Sequence, residues 1–390
     1  MFGALGLALG VANSVIVFLS PFVLRAHGIS VDRIAEVVAI ASIPNVWYFL
    51  YSPLVDIGLS RRTWVITGAT SAAVLAASAI FAVNSSLSWV IALLFASGVM
   101  NSVISASAGA LMSSLPETVR GSASGWYQSG NLGGGAAGGG VLVWLAERLS
   151  LWELGIAAAM LIIVPSLVAV RLREATTPEE GHTLRGLFAD IGGILSTRQT
   201  WLGLVFILSP VSSAAVGNLI SGLGPDYKAS ASEVTWVSGI AAGILSAIGS
   251  LVGGWACNRI DKRLAYALAG PFAAIFGAYL AFAPKTPQTF AWGHSGYSLA
   301  AGFGYAVFTA LVLDLIGSKR HGAATAYSFL VAGGNVPILY MTWLDGVAYK
   351  RQGVTGLMSF DALGNGLVGV ALLFLALLVR KQAQRQSSST

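Results

Sequence analysis

The sequence is dominated by apolar stretches that are long enough to cross a lipid bilayer. Charged residues make up only 10% of the chain, whereas soluble domains contain about 25%. A bilayer core of about 30 Å needs about 20 helical residues per crossing, and a helix satisfies its backbone hydrogen bonds internally. The chain must therefore fold as a bundle of spanning helices. Twelve spans are expected, near residues 2–24, 32–55, 63–83, 88–112, 122–146, 150–170, 200–222, 233–257, 264–283, 291–317, 322–344 and 357–379.

The expected spans form two sets of six, and polar landmarks recur between the sets at a nearly constant distance. The pairs are Asn13 with Asn218, Asp56 with Asn258, and Arg120 with Arg320, at separations of 205, 202 and 200 residues. A parallel duplication of a six-helix unit is one architecture of solute carriers. The predicted fold class is an all-α integral membrane protein with twelve transmembrane helices, in two six-helix bundles related by pseudo-twofold symmetry.

The longest polar interval divides the chain near its middle. It extends from Arg171 to Arg198, and residues 184–195 have the periodicity of an amphipathic surface helix. Every other connector is short, so no separate soluble domain is expected. We predict an N-terminal six-helix bundle at residues 1–171, a cytoplasmic linker at 172–198, a C-terminal six-helix bundle at 199–380 and a disordered cytoplasmic tail at 381–390.

The basic residues predict how the helices are oriented. With the N-terminus in the cytoplasm, 15 of the 22 Lys and Arg residues lie inside, as the positive-inside rule requires. The first span begins near Met1 without a charged n-region or cleavage site, so we expect it to be retained. These features predict a multi-pass plasma membrane protein of the bacterial inner membrane, with both termini cytoplasmic. The basic residues form no patch with interleaved aromatics, so nucleic acid is not an expected partner.

Few residues could support catalysis or bind a cofactor. Cys257 is the single cysteine, which excludes an internal disulfide and a cysteine-based metal site. The four histidines all lie in predicted loops or at span ends, namely His27, His182, His294 and His321. An integral-membrane enzyme would need a clustered nucleophile, base or metal, so it is the less favoured hypothesis. No cofactor and no metal are expected.

A glycine-rich run, GNLGGGAAGGG, lies in the fifth expected span from Gly130 to Gly140. It lacks the preceding strand and the following Lys-Ser/Thr of a phosphate-binding loop. In a membrane, small residues allow neighbouring helices to approach closely. The run therefore predicts close helix packing.

Two connectors on the predicted cytoplasmic side carry similar polar clusters. SPLVDIGLSRR places Asp56 at a helix end, and GWACNRIDKR places Asn258 at the corresponding position. An acid there can accept hydrogen bonds from a neighbouring helix N-terminus, while arginines pair with carboxylates. Positive-inside anchoring is an alternative that explains the arginines but not Asp56. The predicted cytoplasmic gate consists of Asp56, Arg61, Arg62, Arg120, Asn258, Arg259, Asp261 and Arg320.

These loops resemble the signature of the major facilitator superfamily, roughly G-x-L-a-D-r-x-G-r-k. Asp56, Arg61 and Arg62 match it in part, and Asn258 stands where the second copy should have its acid. The loops LPETVRGSASGWYQSGN and IGSKRHGAATAYSFLVAGGN resemble its R-G-x-A-x-G pattern. The resemblance implies solute transport by two rocking bundles. The segments PLVD and SPVSSAAVGNLISGLGPDY are similar to the peptide and acetyl-coenzyme A transporter group, which includes muropeptide permeases and siderophore importers. This resemblance implies proton-coupled import.

Polar side chains inside the expected spans are candidates for binding a solute, because each needs a partner or a water-filled cavity. The alternative is that they hold helices together through hydrogen bonds worth about 1 kcal/mol each. The predicted substrate-binding residues are Asn13, Asn45, Asn101, Gln128, Asn131, Asn218, Tyr305 and Asn335.

Ion coupling has a weaker sequence signal. Proton symport usually needs a carboxylate or histidine whose protonation changes with access, and none occupies the centre of an expected span. Glu36 and Asp314, both near span ends, are the predicted coupling residues. The common alternative for each is a solvated charge at a helix end.

The predicted function is a secondary active transporter that moves a small organic solute by alternating access, with proton-coupled import as the first choice. An uncoupled facilitator and a drug or metabolite exporter of the same fold are the alternatives. No Lys or Arg occupies a span centre, so we expect a neutral, zwitterionic or amphipathic solute and not a phosphate ester. The expected partners are this solute, protons and the lipid bilayer, and the chain is expected to be a monomer.

Overall fold

The computed structural model describes residues 1–57, 59–172, 192–193, 197–317 and 322–387, and within these ranges it is helical without β-strands. Most of the predicted linker lies outside them, including all of the expected surface helix at 184–195 except residues 192–193. The principal helices are α1 Phe2–Ala26, α2 Asp32–Leu50, α3 Arg61–Asn84, α4 Leu87–Ser113, α5 Glu117–Ala146, α6 Leu151–Arg171, α7 Arg198–Ile207, α8 Ala231–Cys257, α9 Lys262–Phe282, α10 Pro287–Ile316, α11 at 323–351 and α12 at 354–387.

The described residues contain nine helices that are long and apolar enough to cross a membrane. One of them, Ala323–Gln382, comprises α11 and α12, which are separated by the non-helical residues Gln352 and Gly353. The glycine-rich α5 and the short α7 are not among the nine. The all-α membrane fold predicted from the sequence is confirmed.

Reciprocal side-chain caps fix where two of the spanning helices begin. At the start of α6, Ser150 accepts a hydrogen bond from the backbone of Glu153, whose carboxylate accepts one from the backbone of Ser150. Ser230 and Glu233 form the same capping box at the start of α8. Such boxes satisfy N–H groups that a helix start would otherwise leave without partners.

The chain divides into two compact units. Unit 1 comprises Met1–Pro116, Trp126–Ser196 and Ile316–Ala332, and unit 2 comprises Glu117–Gly125, Thr197–Leu315 and Gly333–Thr390. The first turns of α5 therefore belong to unit 2, and the first turns of α11 belong to unit 1.

In unit 1, α1 and α5 pack with their backbones in direct contact. A Cβ atom added to Gly10 would lie 2.1 Å from the carbonyl oxygen of Asn131, and one added to Gly130 would lie 1.9 Å from that of Gly3. Only glycine permits such an approach, so the glycine-rich run lies in a continuous helix that packs closely. The structure therefore confirms the close helix packing that the sequence predicted for this run.

In unit 2, the seventh expected span is not a continuous helix. α7 ends at Ile207, and positive φ angles follow at Ser212 (64°) and Ala214 (50°). Short 3-10 segments at Ala215–Asn218 and Ile220–Tyr227 complete the connection to α8. The prediction of one helix over residues 200–222 is therefore wrong, and Pro210, which cannot donate a backbone hydrogen bond, lies at the break.

Two tyrosines satisfy backbone carbonyls that this break leaves free. Tyr266 Oη donates to the carbonyl oxygen of Val211 at 2.6 Å, and Tyr340 Oη donates to that of Leu208 at 2.9 Å. Irregular backbone at membrane depth is tolerated only where protein groups or a water-filled cavity can satisfy it. The interruption is thus supported by α9 and α11 on either side.

The eleventh and twelfth spans also differ from their predicted limits. α11 extends to residue 351, past the expected end at 344, and α12 begins at 354. Only Gln352 and Gly353 separate them, and the φ angle of 62° at Gly353 suits glycine. As a result, Asp345 lies inside α11 and not in a loop.

The packing of α1 against α5 predicts a sharp difference between two glycines of the same run. Gly130→Ala should lower stability by about 1–3 kcal/mol, because its Cβ would overlap a backbone atom that cannot rotate away. Gly140→Ala is the matched control, since nothing lies within 4 Å of its added Cβ. Thermal unfolding of the purified protein should show a lower Tm for the first variant only. Equal Tm values would contradict the described packing.

Candidate functional site

Asp56 lies at the N-terminal end of α11, within unit 1. Its Oδ1 accepts a hydrogen bond from the backbone N–H of Ala324 at 3.1 Å, and its Oδ2 accepts two from Thr325, at 2.8 Å from the backbone and 2.8 Å from the hydroxyl. The side chain is only 3% exposed. A helix start carries partial positive charge and free N–H groups, so a buried carboxylate is well suited to it. Asp56 therefore ties the segment Ser52–Asp56 to α11.

The two arginines that follow Asp56 bind the C-terminal ends of other helices in unit 1. Arg61 lies 3.9 Å from Asp56 Oδ1 and also donates to the carbonyl oxygen of Ala110, in the last turn of α4, at 3.3 Å. Arg62 donates to the carbonyl oxygen of Leu172, just after α6, at 3.4 Å. Helix C-termini favour cations because their last carbonyls lack partners. The cluster thus joins one helix start to two helix ends.

The second copy of the motif, in unit 2, uses different contacts. The amide nitrogen of Asn258 donates to Ser122 Oγ at 2.5 Å. Arg259 places its guanidinium 5.2 Å from the centre of an indole ring, and Asp261 caps α9 by accepting from the backbone N–H of Arg263 at 2.8 Å. Asn258 therefore acts as a donor where the first copy has an acceptor. Predicted gate residue Arg320 lies outside the described residues.

An ion-pair cluster also joins α5, α9 and α10 in unit 2. Lys262 Nζ lies 2.9 Å from Glu117 Oε1 and 2.8 Å from Asp314 Oδ1. Arg120 is only 3% exposed and donates to the carbonyl oxygen of Leu313 at 3.4 Å. The predicted coupling residue Asp314 is thus one of two acids that share a single lysine.

The other predicted coupling residue, Glu36, lies near the start of α2. It forms an ion pair with Arg33 at 2.7 Å, and its side chain is 48% exposed. An exposed pair three residues apart on a helix contributes little to stability. The surroundings of Glu36 therefore resemble those of an ordinary solvated helix end.

Several of the predicted substrate-binding residues in unit 1 contact polar neighbours. Asn45 Oδ1 accepts a hydrogen bond from Ser102 at 3.2 Å, and Asn131 donates to Gln128 Oε1 at 3.1 Å. Asn101 is buried, and its Oδ1 has no partner among the described residues. A buried polar atom without a partner costs about 1–3 kcal/mol, so it favours a site that a ligand or water can enter. Within unit 1 the predicted set is Asn13, Asn45, Asn101, Gln128 and Asn131.

In unit 2 the predicted residues lie on three different elements. Asn218 is exposed, follows the break after α7, and donates to Thr342 Oγ1 on α11 at 3.2 Å. Tyr305 lies on α10 and Asn335 on α11, and both are half-buried. These residues bring the region after the break next to α11.

The break after α7 contains two hydroxyl groups that the sequence analysis did not select. The Oγ atoms of Ser212 and Ser213 are buried and have no hydrogen-bond partner among the described residues. α10 approaches this point closely, because a Cβ added to Gly304 would lie 2.8 Å from Ser212 Oγ. The signal available in the sequence was Pro210 within the apolar run.

A second missed feature is a pair of buried acids, Asp345 on α11 and Asp361 on α12. Each is fully buried, at 0% exposure. Asp361 accepts hydrogen bonds from Tyr297 at 3.2 Å and from Asn365 at 3.1 Å. Sequence reasoning placed Asp345 in a loop because it ended the eleventh span too early. The signal was an isolated aspartate in each of two otherwise apolar stretches, MTWLDGVA and MSFDALGN.

Long apolar helices, an interrupted seventh span and paired polar loops define a multi-pass membrane transporter. The sequence matches the profile of the Major Facilitator Superfamily over residues 1–334, and the chain belongs to this superfamily. A comparison with curated protein sequences found no significant match.

Solved structures of the same superfamily share the fold. The human organic anion transporter MFSD10 (TETRAN) has a TM-score of 0.71 and 17% sequence identity, over 95% of this chain and 98% of its own. The Escherichia coli fucose:proton symporter FucP has a TM-score of 0.71 and 14% identity, over 96% of this chain and 97% of its own. A structure of FucP in the outward conformation has a TM-score of 0.68 and 16% sequence identity, over 96% of this chain and 97% of its own.

The contacts of Asp56 predict a local effect on the start of α11. Asp56→Asn should destabilise the protein by about 1–3 kcal/mol, because an amide can accept with only one oxygen where the carboxylate uses two. Hydrogen–deuterium exchange should rise in the peptide that contains Ala324 and Thr325. Asp261→Asn is the control, because asparagine is an equally good N-cap. Unchanged exchange after Asp56→Asn would show that the carboxylate does not hold the helix start.

Proposed function

We propose that this protein is a secondary active transporter that imports a small, neutral or zwitterionic organic solute together with a proton. The moving bodies are the two predicted six-helix bundles, residues 1–171 and 199–380, joined by the linker at 172–198. Superfamily membership supports transport, and the chemistry of individual residues supports the choice of solute. Both termini are placed in the cytoplasm.

The observation that carries this proposal is the interruption after α7. In lipid, irregular backbone occurs only where it is buried in protein or lines a water-filled cavity. Transporter binding sites are typically built from such discontinuous helices. The hydroxyls of Ser212 and Ser213 have no partner in the part of the chain that the structure describes, so they are available to a polar solute.

The polar groups near the interruption suit an uncharged solute. Ser212, Ser213 and the more distant Asn218 supply hydroxyl and amide groups, which can both donate and accept hydrogen bonds. A strongly anionic solute would need a lysine or arginine to offset its desolvation. Of the structural relatives, FucP carries fucose and MFSD10 carries organic anions, as their names state. The hydroxyl and amide groups therefore favour an uncharged solute such as fucose over an organic anion.

The cluster around Asp56 serves in this proposal as the cytoplasmic gate. It connects a helix start to two helix ends through hydrogen bonds that must break if these elements separate. Arg120, Asn258, Arg259, Asp261 and Arg320 complete the proposed gate. Each of these contacts is modest, so together they can close the cavity without locking it.

Uptake into proteoliposomes tests the proposal. The vesicles contain the purified full chain, and the solutes offered are fucose, a dipeptide and an organic anion. We expect accumulation of fucose or the dipeptide that increases when the outside is acidic and disappears with a protonophore. Uptake that is indifferent to the pH gradient would indicate a facilitator, and product formation without an intact bilayer would indicate an enzyme. Either result contradicts the proposal.

Serine variants locate the solute in the same assay. Ser212→Ala and Ser213→Ala should each reduce uptake about fivefold, because each loses a hydrogen bond worth roughly 1 kcal/mol to the solute. Ser107→Ala is the matched control, since its buried hydroxyl already donates to the carbonyl oxygen of Val103 at 2.7 Å. Normal uptake by both serine variants would place the binding site elsewhere.

A further inference from the structure

The buried acids Asp345 and Asp361 lie at the same depth on neighbouring helices. α11 ends at residue 351, α12 begins at 354, and the tight turn between them makes the helices antiparallel neighbours. At 1.5 Å per residue, Asp345 lies about 9 Å below this turn and Asp361 about 10 Å below it. Both side chains are completely buried, and α11 and α12 touch beside them, because a Cβ added to Gly364 would lie 3.3 Å from Met341 Cε.

The two carboxylates differ in their hydrogen bonds. Asp361 Oδ2 accepts from Tyr297 Oη at 3.2 Å, and Oδ1 accepts from Asn365 Nδ2 at 3.1 Å. Neither oxygen of Asp345 has a partner among the described residues. The two donors stabilise negative charge on Asp361, whereas an ionised Asp345 would be buried without compensation.

The helices around the pair do not supply a positive charge. On α10, Tyr297 donates a hydrogen bond to Asp361, and a phenol carries no positive charge. His294 lies one turn from Tyr297, is buried, and has no partner for either ring nitrogen among the described residues. Val354, Leu357 and Met358, which begin α12, pack in the apolar core with Tyr297.

Charged groups at the ends of these helices have other partners or are exposed. Lys285, between α9 and α10, donates to the carbonyl oxygens of Leu280 and Ala281, and burial lowers the pKa of its ammonium. Asp226 accepts a hydrogen bond from Tyr349. Lys350 at the end of α11 is exposed. No described Lys or Arg forms an ion pair with either acid.

Two adjacent carboxylates in an apolar environment cannot both remain ionised. Burying one uncompensated charge costs several kcal/mol, and a second like charge beside it adds repulsion. The pair must therefore hold a cation. Among the described residues, no group of three or more His, Cys, Asp or Glu side chains could hold a metal ion. A proton meets the requirement with no further ligands.

We infer that Asp345 and Asp361 form the proton-binding site of this transporter, with the exchangeable proton on Asp345. Asp361 remains ionised, because Tyr297 and Asn365 donate hydrogen bonds to its carboxylate. The role of this proton in transport rests on the proposed function, whereas its presence does not. The site replaces Glu36 and Asp314 as the preferred coupling position, because those acids already have basic partners.

Infrared spectroscopy of the purified protein in lipid nanodiscs tests the proton directly, without a solute. A protonated carboxyl shows a C=O band that is absent from a carboxylate and shifts in D2O. At pH 7 in potassium buffer, we expect this band in the wild type, its loss in Asp345→Asn and its retention in Asp361→Asn. Glu147→Gln, which removes an exposed acid, is the control and should retain the band.

Three infrared results would overturn the assignment. They are a wild type without the band at pH 7, a folded Asp345→Asn protein that keeps it, and loss of the band on addition of sodium, which would indicate a sodium site. If Asp345→Asn fails to fold, the wild type still provides the test.

Dicyclohexylcarbodiimide reacts with protonated buried carboxyls, so mass spectrometry should find the N-acylurea adduct on Asp345. A peptide without this adduct would contradict the assignment.

Uptake assays separate this inference from the proposed function. If the wild type transports, Asp345→Asn should retain solute exchange but lose the stimulation by an acidic exterior, and Asp345→Glu should restore it. Stimulation that persists in Asp345→Asn would overturn the coupling role of the site. If no solute is transported, the proposed function fails, while the infrared result still decides whether Asp345 holds a proton.

Discussion

Lipid offers no hydrogen bonds, so each polar group within the membrane must find its partner in the chain or in a cavity. Most of the described polar groups meet this requirement. Tyr266 satisfies a carbonyl that the interruption after α7 leaves free, and Asp56 satisfies the start of α11. The few groups without partners are correspondingly informative, and they include Ser212, Ser213 and Asp345.

The same constraint explains why α11 is central to the proposed mechanism. Its first N–H groups bind Asp56, its middle contains Tyr340, which supports the α7 break, and its far end holds Asp345. The first turns of α11 thus belong to the proposed gate in unit 1, and its later residues belong to the proposed binding region and proton site in unit 2.

The sequence predicted the features that depend on composition and local pattern. Apolar length indicated the spanning helices, and the charge of Asp56 marked a helix start. The α7 break was missed because hydropathy does not detect irregular backbone, which here depends on Pro210 and on distant tyrosines. Asp345 was missed because the expected eleventh span ended at residue 344, whereas α11 extends to residue 351. Which oxygens lack partners depends on packing and could not be predicted from the sequence.

The central claim is that the unpartnered hydroxyls after α7 face a cavity that water and solute can enter. Ser212→Cys in a Cys257→Ser background tests it through reaction with a small, water-soluble thiol reagent. We predict modification in intact membranes and protection by a transported solute, while Ser107→Cys, on a continuous stretch of α4, stays unreactive until the protein is unfolded. A cysteine at position 212 that reacts only after unfolding would contradict the account.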